Sequence, residues 1–172
     1  MNEQLARDLV DAAVLRGSFR LRSGATSTYY IDKYLLTTRP DLLRRLAQAL
    51  RPFVPAETQR LAGPVLGAVP LVTALALETN LPTLIVRTDK PKDYGTNKMI
   101  EGKLTPGERV MLIEDVVTTG GAALAAVETL REAGVEVLAA ACLVDREEGG
   151  AAAFERAGVP FSALFTKSGL GL

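Results

Sequence analysis

The chain has no histidine, a single cysteine, no excess of acid over base, and no apolar run long enough to cross a bilayer. Each absence removes a class of function. Without histidine, no histidine can serve as a general acid. With Cys142 alone, no disulfide framework can form within the chain, which fits a reducing compartment. Cys142 lies inside an apolar stretch and reads as a small buried hydrophobe. Twenty Lys plus Arg balance twenty Asp plus Glu, which argues against a surface devoted to nucleic acid or anionic membrane. No run approaches the roughly 18 apolar residues of a membrane span. Met1-Asn2-Glu3-Gln4 lacks the basic region and apolar core of a signal peptide. The expectation is a soluble, cytoplasmic protein that binds neither nucleic acid nor membrane. What the chain has in quantity is apolar residues, 48% of 172, enough for one folded domain over 1–172 with a real core.

One stretch organises the rest. Arg109-Val110-Met111-Leu112-Ile113 is an apolar run that ends in two adjacent carboxylates, Glu114 and Asp115. Val116-Val117-Thr118-Thr119-Gly120-Gly121 follows, then an alanine-rich stretch from Ala122 with helical spacing. The pattern predicts a buried strand over 109–113, an acidic corner, an anion-binding turn, and a helix over 121–133 closed by Gly134. Amides at such a helix start are free, and the helix dipole adds about half a positive charge. Threonine hydroxyls add donors, and glycines let the backbone approach closely. This is a phosphate cradle. It lacks the Gly-Lys-Ser/Thr ending of a P-loop and does not match Gly-x-Gly-x-x-Gly, so a dinucleotide is not expected. Two carboxylates beside a phosphate repel it unless something intervenes. Sugar hydroxyls can, because carboxylates accept hydrogen bonds from a diol and stabilise a cationic sugar carbon. The competing reading is an ordinary acidic turn capping a helix.

Elsewhere the periodicity predicts a helix over 2–16 with Asn2 as N-cap and Gly17 as its stop. Residues 18–33 read as a hairpin, with Phe19 and Leu21 alternating with Arg20 and Arg22, a Ser23-Gly24 turn, and a strand rich in Thr and Tyr. A surface hairpin without a ligand is a competing reading, although tyrosines beside Arg22 suit a planar anion. A helix is predicted over 40–51, with Leu42 or Leu43, Leu46 and Leu50 inward and Arg44 and Arg45 outward. Then come a buried strand from Leu61 into a Gly-Pro loop, a helix over 71–79, and a strand over 82–86. Arg87 to Lys103 is polar, basic, broken by Pro and Gly, and without apolar period. It holds four of the six lysines in a chain that otherwise prefers arginine. A long exposed loop able to close over a polyanion such as pyrophosphate fits it; a solvated linker competes. A strand over 135–144, the polar cluster Asp145-Arg146-Glu147-Glu148, a helix over 151–157 and a strand over 159–165 complete the chain.

Strand alternating with helix predicts an α/β fold: an open, mainly parallel twisted sheet flanked by helices, with a small N-terminal hairpin hood. Three polar sites then fall at strand C-termini, where open α/β sheets bind ligands: Arg87 onward, Glu114-Asp115 onward, and Asp145-Arg146.

Val110 to Gly121 closely resembles the phosphoribosyl-pyrophosphate signature of type I phosphoribosyltransferases. Other segments narrow the resemblance. Phe19-x-Leu21-x-Ser23-Gly24-x-x-Ser27-x-x-Tyr30-x-Asp32 is similar to the N-terminal hairpin of orotate phosphoribosyltransferases. Lys92-Asp93-Tyr94-Gly95-Thr96 through Ile100-Glu101-Gly102 resembles that family's mobile catalytic loop, and Asp145-Arg146 its orotate-contacting corner. The resemblance implies transfer of ribose 5-phosphate from phosphoribosyl pyrophosphate to orotate, with Mg²⁺ held mainly by the substrate rather than by protein ligands. It implies that Glu114 and Asp115 hold the ribose hydroxyls and favour an oxocarbenium-like transition state, and that Val116, Val117, Thr118, Thr119, Gly120, Gly121 and Ala122 take part in binding the phosphoribosyl group. Thr118, Arg146, Arg22, Tyr30 and Ile31 would meet orotate, Arg87, Lys90 and Lys92 would meet the leaving pyrophosphate, and Tyr94 would also contact phosphoribosyl pyrophosphate. Lys92 joins the two acids as a catalytic candidate. A homodimer is implied, with loop 88–103 reaching the partner's site.

Three departures stand out. Tyr94 occupies a position where the family often has histidine, so Lys92, or the metal and pyrophosphate, must replace a histidine acid. The Arg87–Lys92 segment is one residue longer than the commoner spacing. Gly67 stands where many members have lysine. Two alternatives are a purine phosphoribosyltransferase and a non-catalytic nucleotide-sensing regulator on the same fold. Arg146 and the hairpin argue against the first; the lysine-bearing loop and the absence of a helix-turn-helix segment argue against the second.

Overall fold

The computed structural model describes residues 3–20, 24, 26–87 and 98–172. Its centre is a six-stranded sheet in the order β5-β4-β3-β6-β7-β8. The strands are β3 (Arg60–Pro64), β4 (Thr83–Val86), β5 (Ile100–Glu101), β6 (Arg109–Val117), β7 (Glu136–Asp145) and β8 (Phe161–Thr166). All neighbours pair in parallel except β4 and β5. A separate antiparallel hairpin joins β1 (Val14–Arg20) to β2 (Thr26–Ile31).

Helices cover both faces because the central strands are apolar on both. Met111 and Ile113 of β6 pack with α1 (Glu3–Ala13), α3 (Pro40–Leu50) and α4 (Ala68–Thr79), in a core that includes Leu5, Leu9, Leu46 and Leu75. Val110 and Leu112, on the alternate face, pack with α5 (Gly121–Glu132) and α6 (Gly150–Arg156) through Val127, Leu130 and Phe154. Cys142 is fully buried in that second core, and burial pushes its thiol pKa up. The open, mainly parallel sheet with its flanking helices and hairpin matches the expected architecture.

Boundaries differ in instructive ways. The first helix ends at Ala13, and Gly17 lies inside β1 rather than stopping a helix. Pairing of Val14, Leu15 and Arg16 with Ile31, Tyr30 and Tyr29 outweighs the helical period there. The expected N-cap, Asn2, lies outside the described residues. A short helix absent from the sequence reading, α2 (Lys33–Thr37), follows β2 directly. Asp32 caps it by accepting the Tyr34 amide at 3.0 Å. The fourth helix begins at Ala68, three residues before the expected 71, with Pro70 tolerated in its first turn. The segment 87–103 is not loop throughout, since Ile100 and Glu101 pair with Val86 and Ile85.

The largest difference positions the site. The central strand β6 continues four residues beyond Ile113, so Glu114 and Asp115 belong to the strand and not to a corner after it. Pairing with β3 covers only Val110, Met111 and Leu112, while pairing with β7 continues to Val117. The last third of β6 therefore has one open side, beyond the end of β3.

Candidate active site

The C-terminal ends of β6 and β7, the start of α5 and the hairpin enclose a cavity of about 980 Å³. Glu114, Asp115, Val116, Val117, Thr118, Thr119, Gly120, Gly121 and Ala122 line one wall in sequence order. Tyr30 and Ile31 come from β2, and Arg146 from the turn after β7. These sequence-predicted residues are thus brought together from three separate segments.

Strand geometry turns Glu114 and Asp115 to opposite faces of β6. Both are buried. Glu114 Oε1 accepts the Asp115 amide at 3.0 Å, and Asp115 Oδ1 accepts the Val116 amide. Burial first, and the Asp115 charge second, push the Glu114 pKa up to about 8. Burial and the neighbouring carboxylate thus favour the proton on Glu114, which lowers the negative charge of the pair. That charge is met by Lys33, whose Nζ lies 2.9 Å from Asp115 Oδ2. Burial opposes the Lys33 charge, but Asp115 by charge and hydrogen bond, and then Glu114, raise its pKa above the ordinary value.

The start of α5 has the predicted form. Gly120 at φ 82° is the N-cap of α5, in a left-handed conformation that glycine adopts without penalty. It makes no side-chain cap bond, so the first-turn amides of a twelve-residue helix are available to a ligand.

Arg146 is held from several sides. Its amide donates to Val117 O at 2.8 Å, which ties the turn after β7 to the end of β6. Its Nη2 lies 2.9 Å from Glu148 Oε1, and its guanidinium lies 5.3 Å from the centroid of the Tyr29 ring. Its Nε is buried and has no hydrogen-bond partner among the described residues. The next residue, Glu147, braces the same turn by accepting from the Ser168 amide and hydroxyl, bonds that hold its carboxyl below the usual range.

Four residues with a part in the site carry no assignment from the sequence. Arg20 lines the cavity, and its alternation with Phe19 was the available signal. Glu148 lines it beside Arg146. Tyr29, rather than the neighbouring Tyr30, supports the Arg146 guanidinium. Lys33 was hidden because the helix it opens was not foreseen. Arg87 is not among the lining residues; it stands at the end of β4 with Nη1 3.5 Å from Glu101 Oε1. Arg22, Lys90, Lys92 and Tyr94 lie outside the described residues.

Comparison with known proteins agrees with this geometry. The phosphoribosyl transferase domain family matches residues 40–154. An orotate phosphoribosyltransferase of Methanocella arvoryzae is 46% identical over 158 residues, covering 92% of this chain and 90% of the relative. The crystal structure of orotate phosphoribosyltransferase from Aeropyrum pernix superposes with a TM-score of 0.87 at 33% identity, covering 96% of this chain and 95% of that one. A Mycobacterium tuberculosis orotate phosphoribosyltransferase, crystallised in complex with 5-phospho-α-D-ribosyl 1-diphosphate, superposes with a TM-score of 0.81 at 30% identity and 98% coverage of each chain. A cavity that joins two carboxylates to a phosphate cradle and an arginine corner, with relatives of this similarity over nearly the full length, places the chain in the orotate phosphoribosyltransferase family.

Proposed function

We propose that this protein transfers ribose 5-phosphate from phosphoribosyl pyrophosphate to a ring nitrogen of orotate, giving orotidine 5′-monophosphate and pyrophosphate in pyrimidine biosynthesis. One observation carries the reading: a single cavity joins Glu114 and Asp115, the Thr118–Gly121 cradle and Arg146. The 5′-phosphate fits the free amides and hydroxyls at the start of α5. The ribose diol then falls beside the two acids. Arg146 lines the cavity and brings a guanidinium charge to the carboxylate or ring oxygens of orotate, an acidic base.

In the reaction the bond from the sugar C1 to pyrophosphate breaks, and its electron pair leaves with pyrophosphate. The orotate nitrogen forms the new bond to C1 and gives up its proton to the departing pyrophosphate or to water. Positive charge develops on the sugar between these events. Asp115 stabilises it, and Glu114 holds a ribose hydroxyl as donor or acceptor according to its proton. Fixing both substrates in one cavity supplies much of the remaining rate by orientation.

Magnesium fits this site as a substrate-borne ion. Among the described residues no three acidic, cysteine or histidine side chains cluster as a metal cage, and one of the two site carboxylates is already paired to Lys33. Such a donor set suits an ion held mainly by pyrophosphate and ribose oxygens with several waters. When bound, it offsets charge on the leaving group. Lys90 and Lys92 would add cations to the same group, contributed across a homodimer by loop 88–103. Among the described residues no helix is long and apolar enough to cross a membrane, which is compatible with cytoplasmic residence.

The test is chromatographic. Protein incubated with phosphoribosyl pyrophosphate, Mg²⁺ and orotate should form orotidine 5′-monophosphate and pyrophosphate in equal amounts, and chelation of the metal should stop both. Absence of that nucleotide with metal present would refute the proposal.

A further inference from the structure

Lys33 has no place in the mechanism above, yet it makes the closest ionic contact to the carboxylate that mechanism depends on. Its ammonium lies 2.9 Å from Asp115 Oδ2, and that oxygen has no other polar partner among the described residues. The Asp115 side chain is 3% exposed and that of Lys33 34% exposed, so the buried partner is fixed and the cation is on the open side. Asp32 anchors the first turn of α2, which carries Lys33 to the cavity. The Tyr34 ring lies 5.7 Å from the same ammonium.

A second observation concerns Gly67, the N-cap residue of the twelve-residue helix α4. A Cβ built there would lie 1.7 Å from Asp115 Oδ2 and 2.5 Å from Lys33 Nζ. The ion pair thus occupies the space a side chain at position 67 would take. It also sets the Lys33 ammonium at the start of α4, where free amides favour an anion and disfavour a cation. An anion arriving there would meet amides and ammonium together. The pair as it stands also works against catalysis, because Lys33 offsets the Asp115 charge that the sugar carbon needs.

We infer that Lys33 holds Asp115 in the free protein and, when substrate binds, exchanges this partner for the pyrophosphate end, leaving Asp115 to the ribose. This rests on the cavity being a phosphoribosyl-pyrophosphate site. The exchange conserves charge, since one ammonium moves between two anions and no proton need be transferred.

The test uses the full chain and two ligands measured separately by calorimetry: inorganic pyrophosphate with Mg²⁺, and ribose 5-phosphate. Lys33→Met should weaken pyrophosphate by about tenfold or more, the value of one charge-assisted contact, and ribose 5-phosphate by less than about threefold. Lys33→Arg should recover most of the pyrophosphate affinity, which a purely structural role for the lysine stem would not predict. Lys33→Gln provides a polar replacement if the methionine variant does not fold. Unchanged pyrophosphate affinity in a folded Lys33→Met or Lys33→Gln protein overturns the inference, as does equal weakening of both ligands. If the unsubstituted protein binds neither ligand, the underlying assignment of the cavity fails instead.

Discussion

Glu114 and Asp115 are adjacent in sequence but differ in surroundings. The first is buried and makes no ion pair among the described residues; the second faces Lys33 at 2.9 Å. In the proposed reaction Asp115 is the carboxylate that meets a developing sugar cation. Asp115→Asn keeps shape and removes charge, so kcat should fall by on the order of a hundredfold or more while the KM for phosphoribosyl pyrophosphate changes little. Steady-state kinetics check this, and a change in KM alone would remove the electrostatic role. Glu114 gives a different signature. Its pKa of about 8 lies above the ordinary 4.5, so the native state binds its proton more tightly than the unfolded state does. That contribution to stability is fully present below about 4.5 and declines as pH rises to about 8. Denaturant midpoints measured across this window should fall for the native protein and flatten for Glu114→Gln.

At the scale of elements, the site depends on where strands stop. The apolar run to Ile113 is plain in the sequence, and so are the two threonines and two glycines that follow. That the strand continues to Val117 is not, because the extension is stabilised by pairing with β7, a contact remote in sequence. The acids therefore looked like a turn. The first helix shows the same effect: its apolar period runs past Ala13, but Val14 to Arg16 are taken into the hairpin by β2. Short elements such as α2 carry too little period to be seen, although Asp32 before Lys33 is a capping signal in retrospect. Gly120, by contrast, was readable as the start of a helix and needs its φ of 82°. Gly120→Ala should cost about 1 kcal/mol of stability for the left-handed conformation and weaken ribose 5-phosphate binding. Thermal unfolding and ligand titration measure the two effects separately.

For the whole molecule, the alternation of strands and helices was enough to foresee a parallel sheet with ligand residues at strand C-termini, because chain topology leaves few other arrangements. The cavity brings together residues from Tyr30 to Arg146 that no local pattern connects. The two acids, the Thr118–Gly121 turn and Arg146 stand out in the sequence, since each is an unusual residue set beside an apolar run, and all line the cavity. Arg20, Lys33 and Glu148 do not stand out, since a charged residue on a hairpin or in a turn is ordinarily solvated. The proposed homodimer belongs to this scale as well. Sedimentation should give twice the mass of the 18.3 kDa chain, and dilution to monomer should lower activity if loop 88–103 acts across subunits.

In the proposed reaction Arg146 and the hairpin select an acidic pyrimidine, while Glu114 to Gly121 serve the sugar phosphate. The most direct measurement offers orotate, uracil, adenine and hypoxanthine separately, with phosphoribosyl pyrophosphate and Mg²⁺, and follows pyrophosphate release. Release with orotate and not with the purines is the predicted result. Release with a purine alone, or with none of the four bases, would contradict it.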